Sequence, residues 1–245
     1  MSFAAVPPSA VVSFDVGGTL VAPHGRTITA CAMAAAREQR MPVSAARDLV
    51  LSSCLDDQAC DQLERLCGLD LIRSIQHRRP VPMTALPGAV SMVGAVAEMA
   101  RVVSLSNVSS VDAGRLPDGL DALVARSYLS CDIGAAKPSP RAFVAVAEGE
   151  GVHVADLVHV GDSWQTDVVG ALGAEARCVW LDASRPRATV LVPGRLVACA
   201  SPGDVPEAVR YLLKREGVEH PFRTEDQLDR RSSSVGLPDD DDGGA

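Results

Sequence analysis

Lysine and aromatic residues are scarce in this 245-residue sequence. Only Lys137 and Lys214 are lysines, although the chain has 23 basic residues, and aromatic residues make up 3% of it. The formal net charge of -8 argues against a nucleic-acid-binding protein, because such proteins present basic surface to phosphate. No run approaches 18 consecutive apolar residues, and residues 1–10 contain no basic residue ahead of an apolar run. Neither a membrane span nor secretion is therefore expected.

Paired cysteines are also missing. Seven cysteines occur without any CxxC spacing, so the sequence indicates neither a disulfide framework nor a structural zinc site. Reduced thiols in a cytoplasmic protein are expected instead. Hydrophobic residues make up 47% of the chain, enough for one substantial core with a small accessory domain.

Strand and helix patterns alternate in most of the chain. The apolar run Val11-Val12-Ser13-Phe14 predicts a first strand, and from residue 88 onward strand patterns near 102–105, 157–160 and 178–181 alternate with helical ones. Such alternation is typical of a parallel sheet with helices on both faces. We therefore expect an α/β protein with a Rossmann-like core.

A helical insertion is expected after the first strand. Helical spacing of apolar residues continues through residues 27–40, 44–53, 56–67 and 69–78. The predicted organisation is a core made of residues 8–22 and 86–216 and an all-helical cap over 23–85. Residues 217–245 are rich in Asp, Arg, Ser and Gly, which predicts a disordered acidic tail.

Polar residues follow three of the predicted strands. Asp15 comes directly after the first strand and is followed by Gly-Gly-Thr, Ser106-Asn107 follows the second, and Asp162 the third. The carboxyl ends of parallel strands share one edge of the sheet, so these residues can converge there. A carboxylate at such an edge can act as a nucleophile, or it can simply cap the turn that follows.

Lys137 and Asp167 complete the candidate site. Lys137 lies in Gly-Ala-Ala-Lys-Pro-Ser-Pro, in a chain that otherwise uses arginine, and a compact ammonium can bridge carboxylates and a phosphoryl oxygen. Asp167 follows Asp162 within the first helical turn. Hard carboxylate oxygens suit Mg²⁺, with Asp162 a direct ligand and Asp167 an outer or lysine-orienting carboxylate.

These motifs resemble, over about residues 10 to 215, those of the haloacid dehalogenase-like (HAD) hydrolase superfamily, in the subfamily with a helical type 1 cap. The resemblance implies Asp15 as nucleophile and Lys137 as its cationic partner, with substrate binding by Gly18, Thr19, Ser106, Asn107 and Lys137. It implies a magnesium site made of Asp15, the Gly17 carbonyl, Asp162 and Asp167. Gly17 stands where the family's phosphatases carry a second Asp, the acid that protonates the leaving group.

Several chemistries of this family remain to be compared. Dehalogenases also lack the second Asp, but they need no metal and usually have a non-acidic residue in place of Asp162. Phosphonate hydrolases use a cap lysine, and residues 22–87 contain none. The resemblance thus implies a magnesium-dependent phosphatase for a small phosphorylated metabolite. A catalytically silent binding protein and a dehalogenase-type hydrolase are the alternatives, and the sequence does not indicate an oligomeric state.

The remaining candidates are histidines and tryptophans. His159 lies in a predicted buried strand, where a core role is expected, whereas His24 lies near Asp15 in sequence and is a candidate for the missing acid. The two tryptophans are scattered in the sequence, and ordinary packing is the expected explanation for them.

Overall fold

A mixed, mostly parallel sheet organises the chain. The computed structural model describes residues 10–67, 80–214 and 223–224. Its strands are β1 (Val11–Phe14), β2 (Val21–Pro23), β3 (Met83–Ala85), β4 (Arg101–Ser106), β5 (Ser127–Leu129), β6 (Leu157–Gly161), β7 (Arg177–Leu181), β8 (Thr189–Val192), β9 (Leu196–Cys199) and β10 (Arg223–Thr224). Eight of them form one sheet in the order β10-β8-β9-β7-β6-β1-β4-β5.

Nine α-helices occur within the described residues. They are α1 (Ile28–Glu38), α2 (Val43–Ser52), α3 (Asp57–Cys67), α4 (Ala89–Ala97), α5 (Asp118–Asp121), α6 (Ser130–Ile133), α7 (Pro140–Glu150), α8 (Val169–Gly173) and α9 (Val205–Leu213). A π-helical turn, Trp164–Val168, runs directly into α8.

Strand β1 lies between β6 and β4, and it is buried on both faces. Val12 and Phe14 pack into a core shared with α4 and α9. Val11 points the other way, into a core shared with α7 and α8. The alternation of side chains along a strand accounts for this division. Helices therefore cover both faces of the sheet, and the predicted α/β fold class is confirmed.

The sheet differs from the expected one at its far end. Strand β8 pairs antiparallel with β9, while β1, β4, β5, β6, β7 and β9 are joined by parallel pairs. Helix α4 ends at Ala97, and only residues 118–121 are helical between β4 and β5. None of these differences alters the edge at which the candidate residues lie.

Helices α1, α2 and α3 have a hydrophobic cluster of their own, which includes Ile28, Val50 and Leu63. Two connections join this helical segment to the sheet. They run side by side, because β2 pairs antiparallel with β3. The cap boundaries at residues 23 and 85 stay a prediction, and the helix expected over 69–78 lies outside the described residues. Of the tail expected over 217–245 only residues 223–224 are described, and they form β10, which pairs with β8.

No helix within the described ranges combines the length and the apolar character that crossing a membrane requires.

Candidate active site

Asp15 lies where β1 ends. Every residue from Val11 to Phe14 is buried, and the Asp15 backbone N–H adds one more bond to the ladder by donating to the Val160 carbonyl at 2.8 Å. The chain then leaves the sheet, so the Asp15 side chain is held at the carboxyl edge. It is 8% exposed, enough to be reached from that edge.

A tight turn follows Asp15. The Val16 carbonyl accepts hydrogen bonds from the N–H groups of Leu20 and Val21, each at 2.9 Å, and the Gly18 N–H donates to the Val21 carbonyl at 2.9 Å. Gly18 has a φ of +88°, a conformation that side-chain-bearing residues rarely adopt. At Gly17 a Cβ would meet no atom within 4 Å, so the turn does not require glycine there.

The Lys137 ammonium connects two carboxylates. Its Nζ lies 2.6 Å from Asp15 Oδ1 and 2.6 Å from Asp167 Oδ1, and the lysine is 2% exposed. Burying a charge requires such partners, because the desolvation of an unpaired ammonium is costly. The cation is therefore fixed beside Asp15.

Two neighbours fix the backbone around Lys137. The side-chain amide of Asn107 donates to the Lys137 carbonyl and accepts from the Lys137 N–H, both at 2.8 Å. Helix α8 packs closely on the same loop, since a Cβ at Gly170 would stand 2.9 Å from the Pro138 Cα. The Asn107 side chain thus holds the Lys137 backbone in place. Ser106, the last residue of β4, is buried at the same edge.

Asp167 is turned back toward the sheet by the π-helical turn. It is fully buried, and its carboxylate accepts three protein hydrogen bonds. Oδ1 accepts from Lys137 and from His159 Nε2 at 3.1 Å, and Oδ2 accepts from the Ser163 N–H at 2.9 Å. Gly161 makes room for this carboxyl group, because a Cβ there would lie 2.3 Å from its carbon.

His159 is part of the same network, a role that the sequence did not reveal. It is buried in β6 as expected, but its Nε2 faces the Asp167 carboxylate and its Nδ1 lies 2.9 Å from the Ser13 hydroxyl. Burial lowers its pKa, so the ring is neutral. Nε2 then carries the hydrogen and donates to Asp167, while Nδ1 accepts from Ser13.

Asp162, by contrast, is exposed at the edge. Its Oδ1 accepts a hydrogen bond from Thr19 Oγ1 at 3.1 Å, and Thr19 lies 3.4 Å from Asp15 Oδ2. Ligand oxygens of Asp15, Asp162 and Asp167 all lie within 4.8 Å of one another. Three carboxylates and one ammonium at this edge have a formal charge of -2 when all are ionised.

The environment separates the pKa values of the two carboxylates that contact Lys137. Burial raises the pKa of Asp15 to about 6, although the ammonium opposes the rise. Burial also tends to raise the pKa of Asp167, but hydrogen bonds from His159 and Lys137 outweigh this effect and hold the pKa below its usual range. The pKa of Lys137 is raised, because the two carboxylates outweigh the effect of burial. Of this trio, Asp15 is the residue that titrates in mildly acidic solution.

His24 lies in a different environment. It is exposed just after β2, and its imidazole is hydrogen-bonded to the Thr84 hydroxyl across the β2–β3 ribbon. Its part as a proton donor stays a prediction.

Comparison with known sequences identifies the family. The profile of haloacid dehalogenase-like hydrolases matches residues 10–175, so the chain belongs to that family of hydrolases. The predicted superfamily is confirmed. No curated protein matches the chain.

Several solved structures of low sequence identity are similar to this chain. An uncharacterized protein from Listeria monocytogenes serotype 4b is 16% identical, with 83% of this chain and 98% of that chain covered and a TM-score of 0.50. A 2-haloacid dehalogenase from Pseudomonas syringae pv. Tomato DC3000 is 20% identical, covering 82% and 98% of the two chains, with a TM-score of 0.49. An enzyme of the same family from Bacteroides thetaiotaomicron, solved with magnesium and inorganic phosphate, is 15% identical over 72% and 96%, with a TM-score of 0.47.

Proposed function

We propose that this hydrolase is a magnesium-dependent phosphatase that acts on a small phosphorylated metabolite through an aspartyl-phosphate at Asp15. The observation that carries the proposal is the grouping of three carboxylates with ligand oxygens within 4.8 Å, two of which also contact Lys137. Lys137 neutralises only part of that charge, so a divalent cation is the natural complement. A dehalogenase, which uses one carboxylate and no metal, would gain nothing from the exposed Asp162.

The carboxylates divide into two roles in this proposal. Asp15, Asp162 and the Gly17 carbonyl would hold Mg²⁺, because Asp162 is exposed beside Asp15. Asp167 is fully buried, and three N–H donors already occupy its oxygens, which favours orientation of Lys137 over direct metal binding. When bound, Mg²⁺ would supply positive charge to the phosphoryl oxygens.

The chain's own residues would carry out two displacements. In the first, the Asp15 carboxylate attacks phosphorus, and the bond to the leaving oxygen breaks with its electron pair on the leaving group. In the second, water attacks the same phosphorus, which releases phosphate and restores the carboxylate. Lys137 stays protonated throughout and offsets charge on the phosphoryl oxygens, while Asn107 holds its backbone in place.

Gly17 restricts which leaving groups depart quickly. Glycine has no side-chain acid, and general acid catalysis typically contributes a factor of about 100 to 10,000. Alkyl phosphates, whose alkoxide needs a proton, would react slowly. Aryl and acyl phosphates would be affected less, because their leaving groups are stable as anions.

The direct test is hydrolysis of p-nitrophenyl phosphate by the wild-type chain and by Asp15→Asn, each with and without magnesium. We expect turnover only in the wild type with magnesium. Equal background rates from both proteins would favour a catalytically silent binding protein. Halide release from a 2-haloacid without magnesium, in the absence of phosphatase activity, would favour the dehalogenase alternative.

A second pair of variants tests the division of carboxylates. Asp162→Asn should raise the magnesium concentration needed for half-maximal activity. Asp167→Asn should lower the maximal rate by about ten- to a hundredfold and change the magnesium requirement little. Equal changes in magnesium requirement for both variants would show that Asp167 is a direct ligand.

A further inference from the structure

The only two tryptophans of the chain lie next to each other. Trp164 is the first residue of the π-helical turn and Trp180 lies in β7, yet their ring centroids are 4.8 Å apart with an interplanar angle of 66°. In a sequence with 3% aromatic residues, this places both of the largest rings at one point of the surface.

The pair is tied to the candidate active site. Trp180 donates its indole N–H to the Asp162 carbonyl at 3.0 Å, and it is paired with Gly161 in the register of β6 and β7. Trp164 follows Asp162 by two residues. Both rings therefore lie at the carboxyl edge of the sheet, next to the backbone of Asp162.

Internal packing accounts for Trp180 but leaves Trp164 unexplained. The guanidinium carbon of Arg185 lies 5.2 Å from the centre of the Trp180 ring, and Arg185 is itself paired with Asp182 at 3.3 Å. These contacts and the indole hydrogen bond hold Trp180 in place. Trp164 remains 46% exposed. A half-exposed indole packed against a second indole at the edge of a candidate active site offers an apolar surface to a planar ligand.

We propose that Trp164 and Trp180 form an aromatic shelf that binds the ring of an aryl phosphate, so that the substrate class of this enzyme is phosphate esters of phenolic compounds. The inference rests on the proposed phosphatase function. It identifies the chemical class of the leaving group. Stacking and edge-to-face contacts with an indole favour a planar aromatic ring over an aliphatic group of the same size.

The chemistry at Gly17 agrees with this substrate class. Attack by Asp15 breaks the bond between phosphorus and the phenolic oxygen, and the aryloxide departs with the electron pair. It takes its proton from water afterwards. An aryloxide is stable enough to leave in this way, so the enzyme needs no acid at position 17.

The test measures how tightly phosphate esters bind to a variant that cannot hydrolyse them. The full-length Asp15→Asn variant is titrated with phenyl phosphate and with cyclohexyl phosphate, two esters of similar size of which only one is aromatic. Calorimetry gives both affinities, and tryptophan fluorescence reports on the shelf directly, because no other tryptophan exists. We expect phenyl phosphate to bind about ten times more tightly and to change the fluorescence.

Variants then localise the preference. Adding Trp164→Leu should remove most of the preference for phenyl phosphate, and Trp164→Phe, which keeps a ring, should restore much of it. Val192→Ala, at another exposed apolar side chain, is the control and should change neither affinity. Equal binding of the two esters, or a preference unaffected by Trp164→Leu, would overturn the shelf.

Further outcomes distinguish the aromatic shelf from a protein interface and from the proposed phosphatase function. If Trp164→Leu leaves ligand binding intact but changes the oligomeric state in size-exclusion chromatography, the rings belong to a protein interface and the inference is wrong. If the wild type hydrolyses no phosphate ester but its Trp164-dependent preference for phenyl phosphate remains, the shelf stands and the catalytic proposal fails. If the wild type hydrolyses aryl and alkyl esters equally well and binds both equally, the catalytic proposal stands and the shelf is wrong.

Discussion

The Asp162 carboxylate lies directly against the backbone of Gly18. A Cβ at that glycine would stand 2.6 Å from Asp162 Oδ2, closer than real Cβ atoms come. Two segments that are about 140 residues apart in sequence thus meet at a point where a Cβ would displace the Asp162 carboxylate. The turn after Asp15 and the position of the exposed carboxylate are set together.

Alanine at Gly18 should therefore disturb the site, whereas alanine at Gly17 should not. Gly18→Ala adds a clash and a strained positive φ, at a cost of about 1 to 3 kcal/mol in the free energy of unfolding. Gly17→Ala fills open space and should leave stability unchanged or raise it by less than about 1 kcal/mol. Urea unfolding of both variants measures this. Equal stability losses would show that the turn tolerates no side chain at either position.

Restoring the acid should change the leaving groups that the enzyme accepts. Because a Cβ at Gly17 meets nothing within 4 Å, Gly17→Asp should fold normally. At saturating magnesium, its kcat/KM for an alkyl phosphate should exceed that of the wild type by about 100- to 10,000-fold, with a smaller gain for an aryl phosphate. Gly17→Asn, which has the shape without the acid, is the control. An alkyl rate no higher than that of the wild type would undermine the account of Gly17.

Removing the buried cation should destabilise the chain. In Lys137→Met, Asp15 and Asp167 would remain buried without the ammonium that contacts both. Breaking such a network typically costs about 3 to 5 kcal/mol. Lys214→Met, at the exposed end of α9, should change stability by less than about 0.5 kcal/mol.

The same variant should be sensitive to pH. Protonation of Asp15 at low pH removes one of the two repelling charges, so the destabilisation by Lys137→Met should be smaller at pH 5 than at pH 8. Urea unfolding at about these two pH values provides the measurement. A loss independent of pH would mean that packing, and not charge, is what the lysine contributes.

Asp15 itself should titrate in mildly acidic solution. Its pKa is raised from 3.8 to about 6, chiefly by burial, so the nucleophilic carboxylate is lost as the pH falls through that value. Carboxyl ¹³C shifts of the free protein, followed by NMR against pH, should show this transition. Added magnesium should move it to lower pH, because a bound cation favours the ionised form. A transition near 4 in the free protein would contradict the raised pKa.

Much of the site could be predicted because the sequence pattern indicates where buried strands end. Apolar runs that stop at a polar residue located Asp15 and Asp162, and the topology of a parallel sheet brought them together. The partners of His159 could not be predicted in this way. A histidine within a buried strand looks like any core residue, and its hydrogen bonds to Ser13 and Asp167 depend on a register between strands that only the fold defines.

Other features were hidden for different physical reasons. Segments 21–23 and 83–85 are only three residues long, too short to be recognised as strands, and they gain stability by pairing with each other. The π-helical turn before α8 is not visible in the sequence, which predicts only a helical turn after Asp162. Trp164 and Trp180 are 16 positions apart, so only the sheet makes them neighbours.

The β2–β3 ribbon has a consequence for how such a chain can diversify. Because Val21 and Ala85 are paired, the intervening segment starts and ends at the same place. Closing a flexible loop costs only about 0.6 kcal/mol more for each doubling of its length. Residues between the two strands can thus be lengthened, shortened or exchanged without displacing Asp15, so this segment is free to vary while the residues of the candidate site are retained.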